Sequence, residues 1–163
     1  MKKSSLLALA ALLGCALLAG CGNGAEQPAL SVWSLSGESE QLRLSNGVLV
    51  LNGGEDVLHG GDLEVLDNSI PPAAAFLTEY YLAGDGEERT LLSMQSVDQT
   101  GGTLDPAGST GAIAGDLSGR FYEGWQNELW LELTVTDREG QTFTYPLQLR
   151  ATEVTDRAEE GQN

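Results

Sequence analysis

Residues 129–149 read LWLELTVTDREGQTFTYPLQL, and this stretch decides the fold class. Large apolar residues alternate with polar residues on both sides of a polar centre, which is typical of β-strands with one buried face. If Val135 lies opposite Phe143, all the large residues fall on the same face. That register leaves residues 138–140 as the loop and puts Gly140 at the left-handed position of a bulged turn. The stretch therefore predicts a β-hairpin.

Two further hairpins are predicted from short turn motifs. Asn46-Gly47 is the strongest two-residue turn signal in the chain and would turn a hairpin over residues 41–52. Gly60-Gly61 would turn another, in which His59 lies across from Asp62.

The rest of the chain predicts shorter strands. Residues 76–82 and 91–97 would pair through a turn at residues 84–86, and residues 31–35 would form an N-terminal strand. Residues 99–120 are rich in glycine and predict a long loop with one short strand.

Seven to nine short strands separated by turns predict an all-β fold, an antiparallel β-sandwich. An immunoglobulin-like arrangement is one form of it, in architecture alone, because the cysteine–tryptophan signature of antibody domains is absent from the sequence. A small β-barrel is the alternative. Pro146 has no N–H to donate, so its strand is predicted to lie at a sheet edge or to turn that position away from its partner.

The first 21 residues have the layout of a secretory signal peptide. Lys2 and Lys3 form a positive start, and residues 6–18 are apolar and shorter than the roughly 20 residues of a transmembrane helix. Leu18-Ala19-Gly20-Cys21 follows and resembles the lipobox of bacterial lipoproteins. The resemblance implies cleavage between Gly20 and Cys21 and a diacylglyceryl group on the Cys21 thiol.

The resemblance also sets the expected domain boundaries and location. It implies a protein of the bacterial cell envelope, held to a membrane by lipid and facing the extracytoplasmic side. The expected parts are a removed signal peptide at 1–20, a lipidated cysteine and flexible tether at 21–29, a single β-sandwich domain at 30–154 and a polar tail at 155–163.

The chain has one other cysteine, Cys15, which would leave with the signal peptide. As a lipidation site it is disfavoured, because Leu13 is bulky where the lipobox pattern prefers a small residue. With Cys21 acylated, the folded domain would have neither a free thiol nor a disulfide. No cofactor is predicted apart from the covalent lipid.

The charge of the chain limits the kinds of partner that it could bind. Its 24 acidic residues against 8 lysines and arginines give a formal charge of −16, and loss of Lys2 and Lys3 with the signal peptide makes this −18. Such a surface repels nucleic acid and anionic lipid headgroups. We therefore expect no nucleic-acid partner. The expected partners are the membrane, through the anchor, and an envelope protein or a glycan.

Catalytic residues are not predicted. His59 and Asp62 are the one histidine–carboxylate pair that local structure would build, and the sequence has no nucleophile-elbow motif. A hydrolase is therefore a weak alternative.

Two candidate binding sites remain. The alternation of the strand places Trp130 on the face opposite the leucines. Trp130 is then either covered by residues 99–128 or exposed, in which case it and Trp125 could stack against a sugar or a peptide. Turn carboxylates can bind calcium, and the best such cluster, which does not match an EF-hand loop, contains Asp85, Glu87 and Glu88. The sequence therefore predicts a non-enzymatic binding or structural module, with a glycan- or calcium-recognising accessory lipoprotein as the alternative.

Overall fold

The computed structural model describes residues 30–84 and 86–155. Their strands are β1 (Ser31–Glu38), β2 (Leu42–Leu51), β3 (Asp56–His59), β4 (Asp62–Val65), β5 (Ala75–Gly84), β6 (Glu87–Val97), β7 (Gly108–Ser109), β8 (Ala112–Gly115), β9 (Leu129–Thr136), β10 (Thr142–Gln148) and β11 (Arg150–Glu153). Two short 3₁₀ turns, Ser118–Arg120 and Trp125–Asn127, lie before β9. Within these described ranges, the structure contains no helix long and apolar enough to cross a membrane.

The strands form two antiparallel sheets that enclose one apolar core, so the predicted β-sandwich is confirmed and the barrel alternative is wrong. The large sheet has the order β11-β1-β2-β3-β8, with β4 pairing β2 and β7. The small sheet has the order β10-β9-β5-β6. The described strands exceed the predicted seven to nine because two long strands are each interrupted.

The hairpin of residues 129–149 is confirmed in register and turn. Val135 lies opposite Phe143. Gly140 has a φ of 81°, the left-handed conformation that the bulged turn requires. The leucines of β9 are fully buried, and each such side chain contributes about 1.5–3 kcal/mol on burial. β10 is an edge strand, which accommodates Pro146.

The hairpin predicted at Asn46-Gly47 is wrong. β2 continues through these residues without a hairpin turn, and β1 pairs with it along both halves. Asn46 adopts a φ of 58°, and β2 supplies one residue more than β1 between the pairs Leu35–Gly47 and Gly37–Leu44. This β-bulge shifts the alternation by one residue. Leucines on either side of it therefore both face the core.

The hairpin predicted at Gly60-Gly61 is also wrong. β3 and β4 do not pair with each other but lie end to end against β2, where His59 faces Val48 and Asp62 faces Ser45. His59 and Asp62 are therefore neighbours along one interrupted strand instead of a cross-strand pair. The physical reason is that β2 offers one continuous partner on which both segments can form their hydrogen bonds.

The neighbour of β3 and β4 on the other side is also interrupted, at the same position along the sheet. β7 pairs with β4 and β8 pairs with β3, while Thr110 and Gly111 bond across to Gly61 and Gly60 with N···O distances of 3.0 and 2.9 Å. The regular pairing of the large sheet is thus interrupted along a line through Asn46-Gly47, Gly60-Gly61 and Thr110-Gly111, here called the crease. Residues 99–120, predicted as a loop with one short strand, provide both β7 and β8 at the edge of this sheet.

Two further strand predictions agree with the structure. β5 and β6 pair as a hairpin, and the predicted N-terminal strand is β1. The predicted signal peptide, cleavage site, Cys21 and residues 156–163 lie outside the described residues.

Candidate functional site

A groove of about 780 Å³ opens where the chain crosses from β10 in the small sheet to β11 in the large one. The C-terminal end of β1, the first half of β2 and the second 3₁₀ turn form its other walls. Gly37 lets β1 approach the crossover closely, because a Cβ there would lie 2.7 Å from the Gln148 carbonyl oxygen. The groove is therefore a consequence of one strand changing sheets beside a glycine.

The lining of the groove offers many hydrogen-bonding groups in a small space. Amides, hydroxyls and guanidinium groups converge there, which gives both donors and acceptors. These polar residues are Ser36, Glu38, Arg43, Ser45, Gln126, Asn127, Gln148 and Arg150.

The two arginines of the groove differ in their partners. Arg43 Nε lies 2.8 Å from Glu38 Oε2, and its Nη1 lies 3.0 Å from Glu64 Oε2. The hydrogen bond from Arg43 holds the pKa of the Glu38 carboxyl below its ordinary value, and the positive charge adds to the effect. Arg150 is exposed and has no ion pair within the described ranges. Its guanidinium can therefore meet a ligand.

Gln148 joins the groove to the outer face of the small sheet. Its side-chain nitrogen donates to the Asn127 carbonyl oxygen at 2.9 Å, which holds the amide at the rim. Gln148 is also the cross-strand partner of Trp130, and Trp130 in turn pairs with Tyr81 on β5. Both aromatic residues are half-buried. An aromatic platform thus adjoins the polar groove, and we call the two together the groove–Trp130 surface.

Carboxylates flank this aromatic pair. Glu79 and Glu132 lie directly opposite each other on β5 and β9. Burial raises the pKa of the Tyr81 hydroxyl, and the negative charges of Glu132, Glu88 and Glu79 raise it further. The platform therefore has a negative side, whereas the groove has the free guanidinium of Arg150.

Trp125 does not belong to this surface. It is 5% exposed, and its ring makes edge contacts with Trp33 at 5.1 Å and Phe121 at 4.8 Å between centroids. The geometry makes it a core residue. Of the two tryptophans predicted to contact a ligand, only Trp130 therefore remains a candidate.

The structure leaves the other candidate residues without an assembled site. Glu87 and Glu88 are exposed at the start of β6, and Asp85 lies outside the described residues, so the calcium site stays a prediction. In the part of the chain that is described, no three His, Cys, Asp or Glu residues are grouped so that they could hold a metal ion. His59 lies on the outer face of the large sheet opposite Val48, and neither residue lines the groove.

Sequence reasoning missed Gln148 and Arg150 as site residues. The groove is built from four separate segments, so no local sequence motif indicates it. The one available signal is the end of the apolar alternation after Leu149, where the chain leaves the small sheet.

Comparisons with known proteins give this chain no relative: no protein-family model, curated protein or solved structure matches it.

Proposed function

We propose that the protein is a lipid-anchored, non-enzymatic binding module on the extracytoplasmic side of the bacterial cell envelope. The anchor half of the proposal is supported by Leu18-Ala19-Gly20-Cys21 after a short apolar run. The binding half is supported by the groove–Trp130 surface. A two-sheet core supplies a rigid frame on which such a surface can be held.

The ligand class that fits this surface best is a glycan. The observation that carries this is the pairing of Trp130 with Gln148, which places an aromatic ring beside the rim of a polar groove. Sugar rings have apolar C–H faces that stack on aromatic side chains and hydroxyls that need fixed donors and acceptors. A small number of placed polar groups around an apolar contact is the usual composition of a ligand site.

The composition of the groove favours binding over glycoside hydrolysis. Most glycosidases need two carboxyl groups, one on either side of the bond that breaks. Among the described residues that line the groove, Glu38 is the single carboxylate, and Arg43 holds it in an ion pair. Within the groove itself, a bound glycan would therefore have no second acid or base beside it.

The glycan proposal is tested by titrating the purified lipidated protein with soluble peptidoglycan fragments and with neutral oligosaccharides, read out by calorimetry and tryptophan fluorescence. We expect saturable binding to one of these, and at least a tenfold loss, or about 1.4 kcal/mol, in Trp130→Ala and Gln148→Ala. Thr144→Ala is the matched control, because Thr144 is exposed on the same β10 strand away from the groove. Unchanged affinity in both variants, or no saturable binding to either probe, refutes the proposal.

The anchor is tested separately by expressing the full chain in a bacterial host and determining the mature N-terminus by mass spectrometry. We expect an acylated Cys21 as the first residue. Membrane association should be lost in Cys21→Ser and retained in Cys15→Ser. The opposite pattern, or an uncleaved segment 1–20, contradicts the anchor.

A further inference from the structure

The crease divides the outer face of the large sheet into two halves of different chemistry. One half contains Asp62 and the ion pairs of Arg43 with Glu38 and Glu64. The other half, on the side where β1 begins, is built from β1, β2, β3, β8 and β11 and has a different composition.

Two outward-facing rows of residues make up this second half. We call it the valine face and define it by Val32, Val48, Val50 and Val57, with Ala112 and Ala114 at its edge. Val48 and Val57 are each 37% exposed. Its other positions are Ser34, His59 and Thr152. Within the described residues, these rows contain neither Asp nor Glu.

An acid-free face is unusual on this chain, which has 24 acidic residues. The remaining outer surfaces carry carboxylates, which an anionic bilayer repels within a Debye length of about 8–10 Å. The valine face is therefore the side that can approach lipid headgroups with the least repulsion. Exposed valines add a small favourable contribution when the contact removes them from water.

The valine face also lies at the point where the chain leaves the sandwich toward its N-terminus. β1 begins at Ser31, and Leu30 just before it is 58% exposed. Residues 21–30 extend to at most about 35 Å at roughly 3.5 Å per residue. A lipidated Cys21 would therefore keep this face close to the bilayer surface, at an effective concentration in the millimolar range or above.

The size of the valine face argues against a second copy of the chain as its occupant. Five strands spaced about 4.8 Å apart and two rows of side chains about 7 Å apart cover roughly 24 by 14 Å, or about 340 Å². A stable protein interface buries about 800 Å² on each partner. A tethered domain needs far less contact, because its encounter with the membrane is intramolecular.

We propose that the valine face is the side on which the tethered domain rests against the lipid headgroups, an inference that rests on the proposed anchor. In this orientation Glu79 and Glu132, on the outer face of the small sheet, point away from the membrane. The groove–Trp130 surface lies on the far side of the crease and on the small sheet, so it would stay open to ligand.

The test uses the lipidated protein in phosphatidylethanolamine–phosphatidylglycerol vesicles, with one environment-sensitive fluorophore attached to Val57→Cys or Val48→Cys. The introduced thiol is unique when Cys21 is acylated. Thr144→Cys, exposed on the outer face of the small sheet, is the matched control. We expect a blue-shifted emission and a severalfold slower reaction with an aqueous quencher at positions 57 and 48, and neither change at 144.

Each other outcome overturns the proposal in a distinguishable way. Equal spectra and quenching at all three positions, in protein that floats with the vesicles, refute the resting face and leave the anchor intact. Shielding that appears only at high protein-to-lipid ratio assigns the valine face to a second copy. Protein that does not float with the vesicles refutes the anchor and the resting face together.

Discussion

The hydroxyl of Tyr80 crosses the core of the sandwich and lies 2.7 Å from Thr110 Oγ1. Tyr80 belongs to the small sheet and Thr110 to the crease of the large one, and both are buried. The Tyr80 hydroxyl also donates to the Gly60 carbonyl oxygen at 2.8 Å, and Thr110 Oγ1 lies 3.1 Å from the Gly61 carbonyl oxygen. The Gly60 carbonyl at the crease is thus satisfied inside an apolar core, where leaving it unpaired would be costly.

Tyr80→Phe removes the hydroxyl and leaves the Gly60 carbonyl without this donor. We expect a loss of about 1–3 kcal/mol in the free energy of unfolding, measured by urea denaturation. Tyr145→Phe is the control, since the Tyr145 hydroxyl makes only a long 3.5 Å contact with the Ser69 carbonyl. Equal losses in the two variants would mean that the hydrogen bonds of the Tyr80 hydroxyl across the core add no measurable stability.

Thr110→Val and Thr78→Val form a matched pair at two equally buried threonines. Thr110 is bonded as described above, whereas Thr78 Oγ1 has no hydrogen-bond partner among the described residues. Because an unpaired buried hydroxyl is unfavourable, Thr78→Val should be neutral or stabilise the fold. Thr110→Val should lose about 1–2 kcal/mol. Thermal and urea denaturation would measure the stability of both variants. A Thr78→Val variant less stable than Thr110→Val would contradict the hydrogen-bond assignment.

Gly60→Ala should destabilise the fold strongly, because the new Cβ would overlap Thr110 Oγ1 and lie 2.9 Å from the Tyr80 hydroxyl oxygen. Such overpacking typically costs about 1–3 kcal/mol or more. Gly119→Ala is the control, since nothing lies within 4 Å of a Cβ at that position. The comparison is made by circular dichroism on heating. A Gly60→Ala variant as stable as Gly119→Ala would show that the crease can relax.

Alkaline pH should unfold the protein through Tyr80. Burial raises the pKa of its hydroxyl above the ordinary tyrosine value, and the hydrogen bond with Thr110 only partly offsets this. The folded state therefore keeps a proton that the unfolded state releases. This contribution to stability is fully present below the unfolded tyrosine pKa of about 10 and is lost as pH rises through the folded pKa.

The measurement is the free energy of unfolding as a function of pH, combined with tyrosinate absorbance. At least one of the four tyrosines, Tyr80, should ionise only together with unfolding. Tyr80→Phe should be less stable at neutral pH and show a shallower alkaline loss. A variant with the same alkaline slope as the parent would assign the loss to other groups.

Glu79→Gln should stabilise the protein, because Glu79 lies directly opposite Glu132 on the neighbouring strand. Like charges in such a pair are destabilising, by about 0.2–1 kcal/mol. We expect a higher melting temperature at low ionic strength and a smaller gain in high salt, which screens the repulsion. Glu139→Gln, in the exposed β9–β10 turn, controls for the change in net charge. An equal gain there would make the effect one of net charge alone.

Local sequence was a good guide where neighbouring residues specify their own partners. The β9–β10 register follows from alternation on both sides of a turn whose Gly140 suits only one loop. Asn46-Gly47 has turn chemistry, but β2 pairs with β1 on one side and with β3 and β4 on the other. These pairings outweigh the local preference, and the same residues become a bulge.

By itself, the sequence determined the all-β class, the β9–β10 and β5–β6 hairpins and the acidic surface, because alternation, turn chemistry and charge are local properties. Only the tertiary structure decided the crease, the burial of Trp125, the groove–Trp130 surface and the valine face. Each of these depends on which distant strands lie side by side. Each strand can pair with several available edges, and the pairing that forms is the one that lets the whole chain bury the most favourable core.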